Sequence, residues 1–389
     1  MRGSFVWGAL WASILIFLLS LAPSQESFDE YIRRELGGFK REKEEYRKYL
    51  EEVNKEFEEY KRIVREEFKR FKKELGAYWD EPEVSTRKKW VQYSDDLKVK
   101  RVFDFEKEEL RIEIIAKDKV SLKTIKRHID SFAKETMRDA FVKDRFLKRV
   151  ERRLRIKSKH IRFSKVPDRP VIGSLIQEDP SELLKRGNFT TVKNSKGYTV
   201  NRFKVKIPPK RILKKAKELK PIVRRESSKW NLPQELIFAV IHTESYFNPF
   251  ATSYVPAYGL MQIVPRYAGR EVSKFLWGRP VLLSPSYLYN PENNIVIGSA
   301  YLYLLYSKYF SGVRDPQSRL YMSIAAYNTG PGNVARALTG TRNLEKAKRV
   351  ANSLNPRDVY RILLRNLPYA ETRDYLRKVS SRMTVYKNL

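Results

Sequence analysis

Glu244 is the residue whose type and setting point most directly to chemistry. It lies in the stretch 237 to 265, IFAVIHTESYFNPFATSYVPAYGLMQIVP, where an apolar helical pattern runs into a polar, aromatic, turn-rich loop. Leu236, Ile237, Val240 and Ile241 recur at three- and four-residue spacing, and Glu244 takes the next place on that stripe. A carboxylate at an apolar position has two fates. It pairs with a cation, as glutamates near helix ends usually do, or it is desolvated until its pKa rises. The second fate suits a general acid that works near neutral pH. Upstream, Asn231 is the expected helix cap and Pro233 suits the first turn, while Asn248-Pro249 is the expected stop. His242 has neither H-E-x-x-H spacing nor a cysteine or second histidine nearby, so no metal site is expected, and no cofactor.

Downstream, Gly259 and Gln262 fall in the turn-rich loop. By residue type alone, Ser253 is a loop serine making a local turn bond, Met261 a core filler and Tyr327 a packed, hydrogen-bonded tyrosine. Glu371, beside Arg373 and just before Asp374, reads equally as a helix-surface ion pair. In order, the chain carries Glu244-Ser245, Gly259-Leu260-Met261-Gln262, Asn294 to Gly298 as N-x-x-x-G, Ala326-Tyr327-Asn328-Thr329-Gly330, and Glu371-Thr372-Arg373-Asp374-Tyr375. Each string is weak by itself, but the five in this order are specific.

The ordered set resembles the soluble lytic transglycosylase domain, a lysozyme-like fold that cleaves the glycan strands of bacterial peptidoglycan. The stretch 79 to 114, WDEPEVSTRKKWVQYSDDLKVKRVFDFEKEELRIEI, resembles the N-terminal domain of the membrane-bound lytic transglycosylase C family. The resemblance implies that Glu244 is the catalytic residue and that Ser253 contacts the sugar. It further implies that Gly259, Met261 and Gln262 line the cleft, that Tyr327 and Asn328 face the carboxylate and substrate, and that Glu371 faces the groove. The implied reaction breaks the β-1,4 bond between N-acetylmuramic acid and N-acetylglucosamine, with Glu244 first as acid and then as base, and leaves a 1,6-anhydromuramoyl end. A goose-type lysozyme-like hydrolase and a non-catalytic cell-wall-binding scaffold are the rival readings.

Composition agrees with such a partner. Lys and Arg number 79 against 46 Asp and Glu, a formal charge of +33, which asks for a polyanion or an anionic surface. Between 208 and 389 there are 29 basic and 11 acidic side chains, so the part that carries Glu244 is itself strongly cationic. Peptidoglycan stem peptides bear carboxylates; nucleic acid is not expected, since no zinc-ligand spacing or RNP-type string occurs. The absence of cysteine excludes disulfides, thiolate metal sites and a Cys nucleophile, and also the lipid-modified Cys of the transglycosylase C relatives.

The elements that must position these residues fall into three segments. Residues 1 to 26 read as a signal peptide or an uncleaved membrane anchor, which places the protein in the periplasm or cell envelope. Residues 27 to 207 read as an α+β domain. It begins with a long charged helix from 28 to 78, continues with a hairpin of strands 98 to 105 and 109 to 116 and a basic helical region from 120 to 155, and ends in a second hairpin over 190 to 207. The stretch 160 to 187 reads as loop, and Pro208-Pro209 as a hinge. Residues 208 to 389 read as a mainly α catalytic domain, with helices expected at 210 to 221, 233 to 246, 264 to 277, 291 to 309, 316 to 327, 331 to 338 and 357 to 379. The sequence does not indicate the oligomeric state.

Overall fold

The computed structural model describes residues 28–208, 212–253 and 256–389, with side chains from position 43 onward. The expected export segment and Pro209 of the expected hinge lie outside the described residues. The described residues divide into two units between Glu52 and Val53. Within the first lies the opening half of helix α1 (Phe28–Gly76), where Arg47 pairs with Glu44 at 2.7 Å. The second holds the rest of α1 and every later element. No helix among the described residues is long and apolar enough to cross a membrane.

From Val53 onward α1 buries Val53, Phe57, Tyr60, Ile63, Phe71 and Leu75 along one stripe. Tyr60, Ile63 and Leu75 are fully buried. On the outer face Arg62 bonds Glu59 and Glu66 at helical spacing, which supports a helix this rich in charge. The chain then forms β1 (Lys89–Tyr93), β2 (Val99–Asp104) and β3 (Glu109–Ala116), followed by α2 (Leu122–Lys134), α3 (Met137–Lys143) and α4 (Arg145–Lys157). The expected basic helical region is thus three helices, each started by its own side-chain cap, Ser121, Thr136 and Asp144. Next come β4 (Ile161–Arg162), α5 (Pro180–Arg186), β5 (Asn188–Lys193) and β6 (Thr199–Lys206). Helix α5 falls in the stretch expected to be loop; Asp179 caps it and Pro180 occupies its first turn.

Five of these strands make one antiparallel sheet in the order β1-β2-β3-β6-β5. Both expected hairpins are present. In the β2–β3 turn, Asp104 accepts from the N–H groups of Glu106 and Lys107 and fixes the register Asp104↔Glu109. Strand β1 pairs Trp90 with Phe103 and stacks the Trp90 indole on Phe132 of α2 at 4.3 Å.

The remainder is helical: α6 (Ile212–Trp230), α7 (Gln234–Ser245), a π-turn at Pro265–Gly269 leading into α8 (Arg270–Trp277), the short strand β7 (Leu282–Leu283), α9 (Pro285–Tyr289), α10 (Pro291–Leu304), α11 (Pro316–Thr329), α12 (Pro331–Thr339), α13 (Leu344–Asn352), α14 (Pro356–Asn366) and α15 (Ala370–Tyr386). Three expectations need correction. Helix α6 does not stop at 221: Ala216, Leu219 and Val223 keep one buried face across Pro221, while Pro221 and Lys217, whose carbonyl loses its helical partner to the proline, lie exposed. Asn231 does not cap α7; it sits in the left-handed region (φ 51) just past α6, and Pro233 starts α7 with no side-chain cap. The helix expected over 357 to 379 is two, split around Pro368.

The expected boundary at 207/208 runs inside the second unit. Parallel pairing of β4 with β7, Ile161↔Leu282 and Arg162↔Leu283, joins chain on either side of it. One continuous apolar core reaches from Tyr60 and Phe103 through Phe238 and Ile295 to Tyr386.

Candidate active site

Helix α7 runs through the centre of the helical part, and all six residues from Leu236 to Ile241 are buried, not one stripe only. Its last turn presents Glu244 with 7% of the side chain exposed. The helix ends abruptly: Tyr246 and Phe247 both adopt left-handed backbone (φ 52 and 63), a local strain of about 1 kcal/mol or more apiece. The surroundings hold them there. Phe247 is buried against Phe238 and Tyr386, and Arg382 donates to the Tyr246 hydroxyl at 2.8 Å. His242 belongs to the same packing: its Nδ1 lies 2.8 Å from the Tyr386 hydroxyl, and burial, with Arg382 nearby, pushes its pKa down to about 3. It is a neutral core histidine. Among the described residues no cluster of His, Cys, Asp or Glu suited to a metal occurs.

The double left-handed turn delivers Asn248, fully buried, to the segment before β1. Its Nδ2 donates to Thr86 O at 3.2 Å and Arg87 O at 3.4 Å. The loop then folds back by backbone bonds, Ser253 N–H to Ala257 O at 3.2 Å and Gly259 N–H to Ala251 O at 2.8 Å. Ser253 is half-buried, next to residues 254–255, which lie outside the described set.

The GLMQ segment is clamped from three sides. Ser245, beside Glu244, donates its hydroxyl to Leu260 O at 2.8 Å. Asn294 of α10 accepts from the Met261 N–H and donates to Tyr258 O and Leu288 O, all at 2.8 Å. Tyr327 of α11 donates its hydroxyl to Met261 O at 2.8 Å. Gly259 (φ 76) lies so close to this clamp that a Cβ would sit 2.4 Å from both Asn294 Nδ2 and Leu288 O. Gly298, one turn beyond Asn294, leaves room for the fully buried Met261, whose sulfur would be 2.3 Å from a Cβ there. The N-x-x-x-G spacing therefore serves one purpose: Asn294 grips the loop backbone and Gly298 admits its methionine.

Gln262 ends the segment with a left-handed backbone (φ 49). Its amide nitrogen donates to Ala251 O and Gly259 O, each at 3.1 Å, while its carbonyl oxygen is buried without a protein partner. An acceptor in that state suits a ligand N–H or O–H. Asn328 accepts from Thr372 at 2.7 Å and so ties α11 to α15, the helix that carries Glu371 and Tyr375.

Around Glu244 the electrostatics favour the protonated acid. Burial raises its pKa to about 7, opposed by Arg87 and by the Tyr375 hydroxyl and assisted by Glu371. The Tyr375 hydroxyl is buried and faces the carboxyl without closing a well-aligned hydrogen bond. Burial and the neighbouring carboxylate push the Tyr327 and Tyr375 phenols well above their usual range, so both stay neutral. Arg87 places Nη1 3.8 Å from Glu244 and Nη2 3.1 Å from Glu371, whose side chain is 64% exposed. Sequence reasoning did not single out Arg87 or Tyr375. Tyr375 sits inside a recognised string, but nothing in the local pattern of Thr86-Arg87-Lys88-Lys89 marks a contact with residue 244.

The family description "Transglycosylase SLT domain" matches residues 221–350. The membrane-bound lytic murein transglycosylase C of Pectobacterium atrosepticum is 40% identical over 185 residues, 47% of this chain and 50% of that protein. The protein of the same name from Mannheimia succiniciproducens is 31% identical over 322 residues, 82% of this chain and 87% of that one. The chain thus spans about half the length of the first curated relatives it matches and most of the Mannheimia protein. Among solved structures, an inactive mutant of the lytic transglycosylase Slt from Pseudomonas aeruginosa matches at 34% identity and a TM-score of 0.33, over 43% of this chain and 23% of that one. The 70-kDa soluble lytic transglycosylase in complex with bulgecin A matches at 28% identity and 0.34, over 43% and 24%.

Proposed function

The chain belongs to the membrane-bound lytic murein transglycosylase C family, and from that premise we propose that it is a peptidoglycan lytic transglycosylase with Glu244 as its single catalytic carboxylate. The observation that carries the reading is a glutamic acid buried at the end of an apolar helix, its pKa raised by burial to about 7. Such a group holds a proton at neutral pH and releases it easily, as one residue serving first as acid and then as base requires.

In this mechanism Glu244 protonates the leaving glycosidic oxygen between N-acetylmuramic acid and N-acetylglucosamine. The carboxylate left behind takes the proton of the muramoyl 6-hydroxyl, whose oxygen attacks the anomeric carbon and closes a 1,6-anhydro ring. The bond broken is C1–O4, the bond formed is C1–O6, and the proton passes through Glu244, so no water is consumed. Ordinary glycosidases use two carboxyl groups. Glu371, the other carboxylate that acts on Glu244 electrostatically, is exposed and held by Arg87, which does not suit a buried nucleophile. The substrate's own 2-acetamido oxygen takes that stabilising role. The clamped loop supplies the cleft wall: Gly259 lets it pack against Asn294 and Leu288, the Gln262 oxygen, which has no protein partner, is the acceptor for a sugar N–H or O–H, and Ser253 contacts the sugar. Tyr327, Asn328 and the buried Met261 hold that wall in place, and Glu371 stands at the groove. The substrate is peptidoglycan in the cell envelope; the relatives' name, "membrane-bound", agrees with that location.

Mass spectrometry of the products released from purified peptidoglycan tests the reading. Muropeptides ending in anhydromuramic acid, lighter by one water than hydrolytic products, are expected. Reducing ends alone indicate a goose-type hydrolase, and a suspension that never clears indicates a scaffold.

A further inference from the structure

Among the described residues, one cation stands within ion-pair distance of Glu244, and it comes from outside the helical part. Arg87 lies on the segment leading into β1, and Asn248, three residues past the end of α7, holds that segment by its backbone at two carbonyls. Thr252 N–H adds a long contact to Thr86 O at 3.5 Å. The guanidinium is divided between two carboxylates, 3.1 Å from Glu371 and 3.8 Å from Glu244. Because the anchor is the chain leaving Glu244, any movement of that turn carries Arg87 with it.

Resting on the reading of Glu244 as the acid, we propose that Arg87 is a positioning residue whose charge decides how firmly Glu244 holds its proton, and that Glu371 sets how much of that charge Glu244 feels. The groups facing Glu244 are Arg87 from the segment before β1, Glu371 and Tyr375 from α15, and Tyr327 from α11. The two phenols stay neutral, so Arg87 and Glu371 are the two that act by full charge. An unshared cation a few ångströms away lowers a carboxyl pKa by about 1 to 3 units. Glu371 draws the guanidinium closer to itself and cancels part of its field, and the 40% exposure of Arg87 screens more. Burial then prevails at Glu244, and the acid stays protonated beside an arginine.

The arrangement predicts opposite effects from two substitutions that a merely structural role would not separate. In pH profiles of kcat/KM, the alkaline limb reports loss of the acid's proton in the free enzyme. With the full chain and purified peptidoglycan, Arg87→Met shifts that limb to higher pH by about one unit. Glu371→Gln leaves the whole guanidinium field on Glu244 and shifts the limb to lower pH by a similar amount. The double variant returns toward wild type, and Arg87→Lys, which keeps the charge, stays nearer wild type than Arg87→Met. A limb that stays in place, or moves in the same direction in both single variants, overturns the proposal. Glu244→Gln, measured in parallel, separates the two claims: if it is inactive while the limb fails to move, only the role of Arg87 falls, whereas if it turns over normally, both fall. Where Arg87→Met unfolds, Glu371→Gln decides alone, since it alters an exposed carboxylate and its limb must move down.

Discussion

Glu113 and Glu244 are the same side chain at nearly the same depth, 1% and 7% exposed, yet the protein treats them oppositely. Glu113 lies on β3, where Lys100 on β2 and Arg202 on β6 both bond it and Arg111 stands 3.6 Å away. Burial pushes its carboxyl up, but the three cations outweigh burial and hold it below the ordinary range. Glu244 has one cation, shared with Glu371, and burial wins. Depth alone therefore does not raise a carboxyl pKa. The number of cations within reach decides whether a buried glutamate is held as an anion, as Glu113 is, or keeps its proton to higher pH, as Glu244 does.

Replacing each glutamate by glutamine is the direct way to break this contrast. Glu244→Gln should reduce turnover by about 10³-fold or more, because the same carboxyl group serves both halves of the reaction, while leaving stability level or higher. A folded variant that releases muropeptides at near wild-type rate defeats the assignment. Glu113→Gln should leave turnover far less affected but destabilise the fold by about 3 kcal/mol in chemical unfolding, since the buried Lys100 would lose its nearer carboxylate and keep only Glu83 at 3.9 Å.

The pH dependence of stability sharpens the same comparison. The raised pKa of Glu244 means that its favourable contribution is present below the unfolded value of 4.5 and disappears as pH rises toward about 7. Wild type should accordingly lose stability relative to Glu244→Gln over that window and hold a constant difference above it. Glu113 has the opposite sign: its contribution is present above 4.5 and disappears as acid protonates it below its lowered folded value, so wild type should lose its advantage over Glu113→Gln on acidification. Denaturant midpoints across this range test both slopes. The smallest effect is expected at the rim of the sheet network, where Arg202 is 44% exposed: Arg202→Met should cost about 1 kcal/mol or less.

Much of this was legible in the sequence. The two hairpins, the long charged helix and α7 follow from period and turn residues, and the order of short motifs gathers Glu244, Gln262, Tyr327 and Glu371 into one reading. What was not legible depends on contacts between distant parts of the chain. β1 is short and lies in a charged stretch, and it exists because Trp90 finds Phe103 and Phe132. Helix α6 passes through a proline because the buried face beyond it outweighs one lost hydrogen bond. Arg87 is invisible locally: its place beside Glu244 comes from Asn248, which the sequence offers only as a helix stop.

The pairing of β4 with β7 bears on how the molecule assembles. Ile161 and Arg162 have no strand partner until Leu282 and Leu283 have been synthesised, so a chain growing from its N-terminus carries an open strand edge through much of its elongation. Closing so long a loop orders a great deal of chain before the pairing returns anything, which makes it a slow event in folding. The β2–β3 and β5–β6 hairpins can form early from neighbouring residues, but the grip of Asn248 on the Arg87 segment must wait for the later half of the chain, so competence for chemistry should be among the last properties the nascent protein acquires.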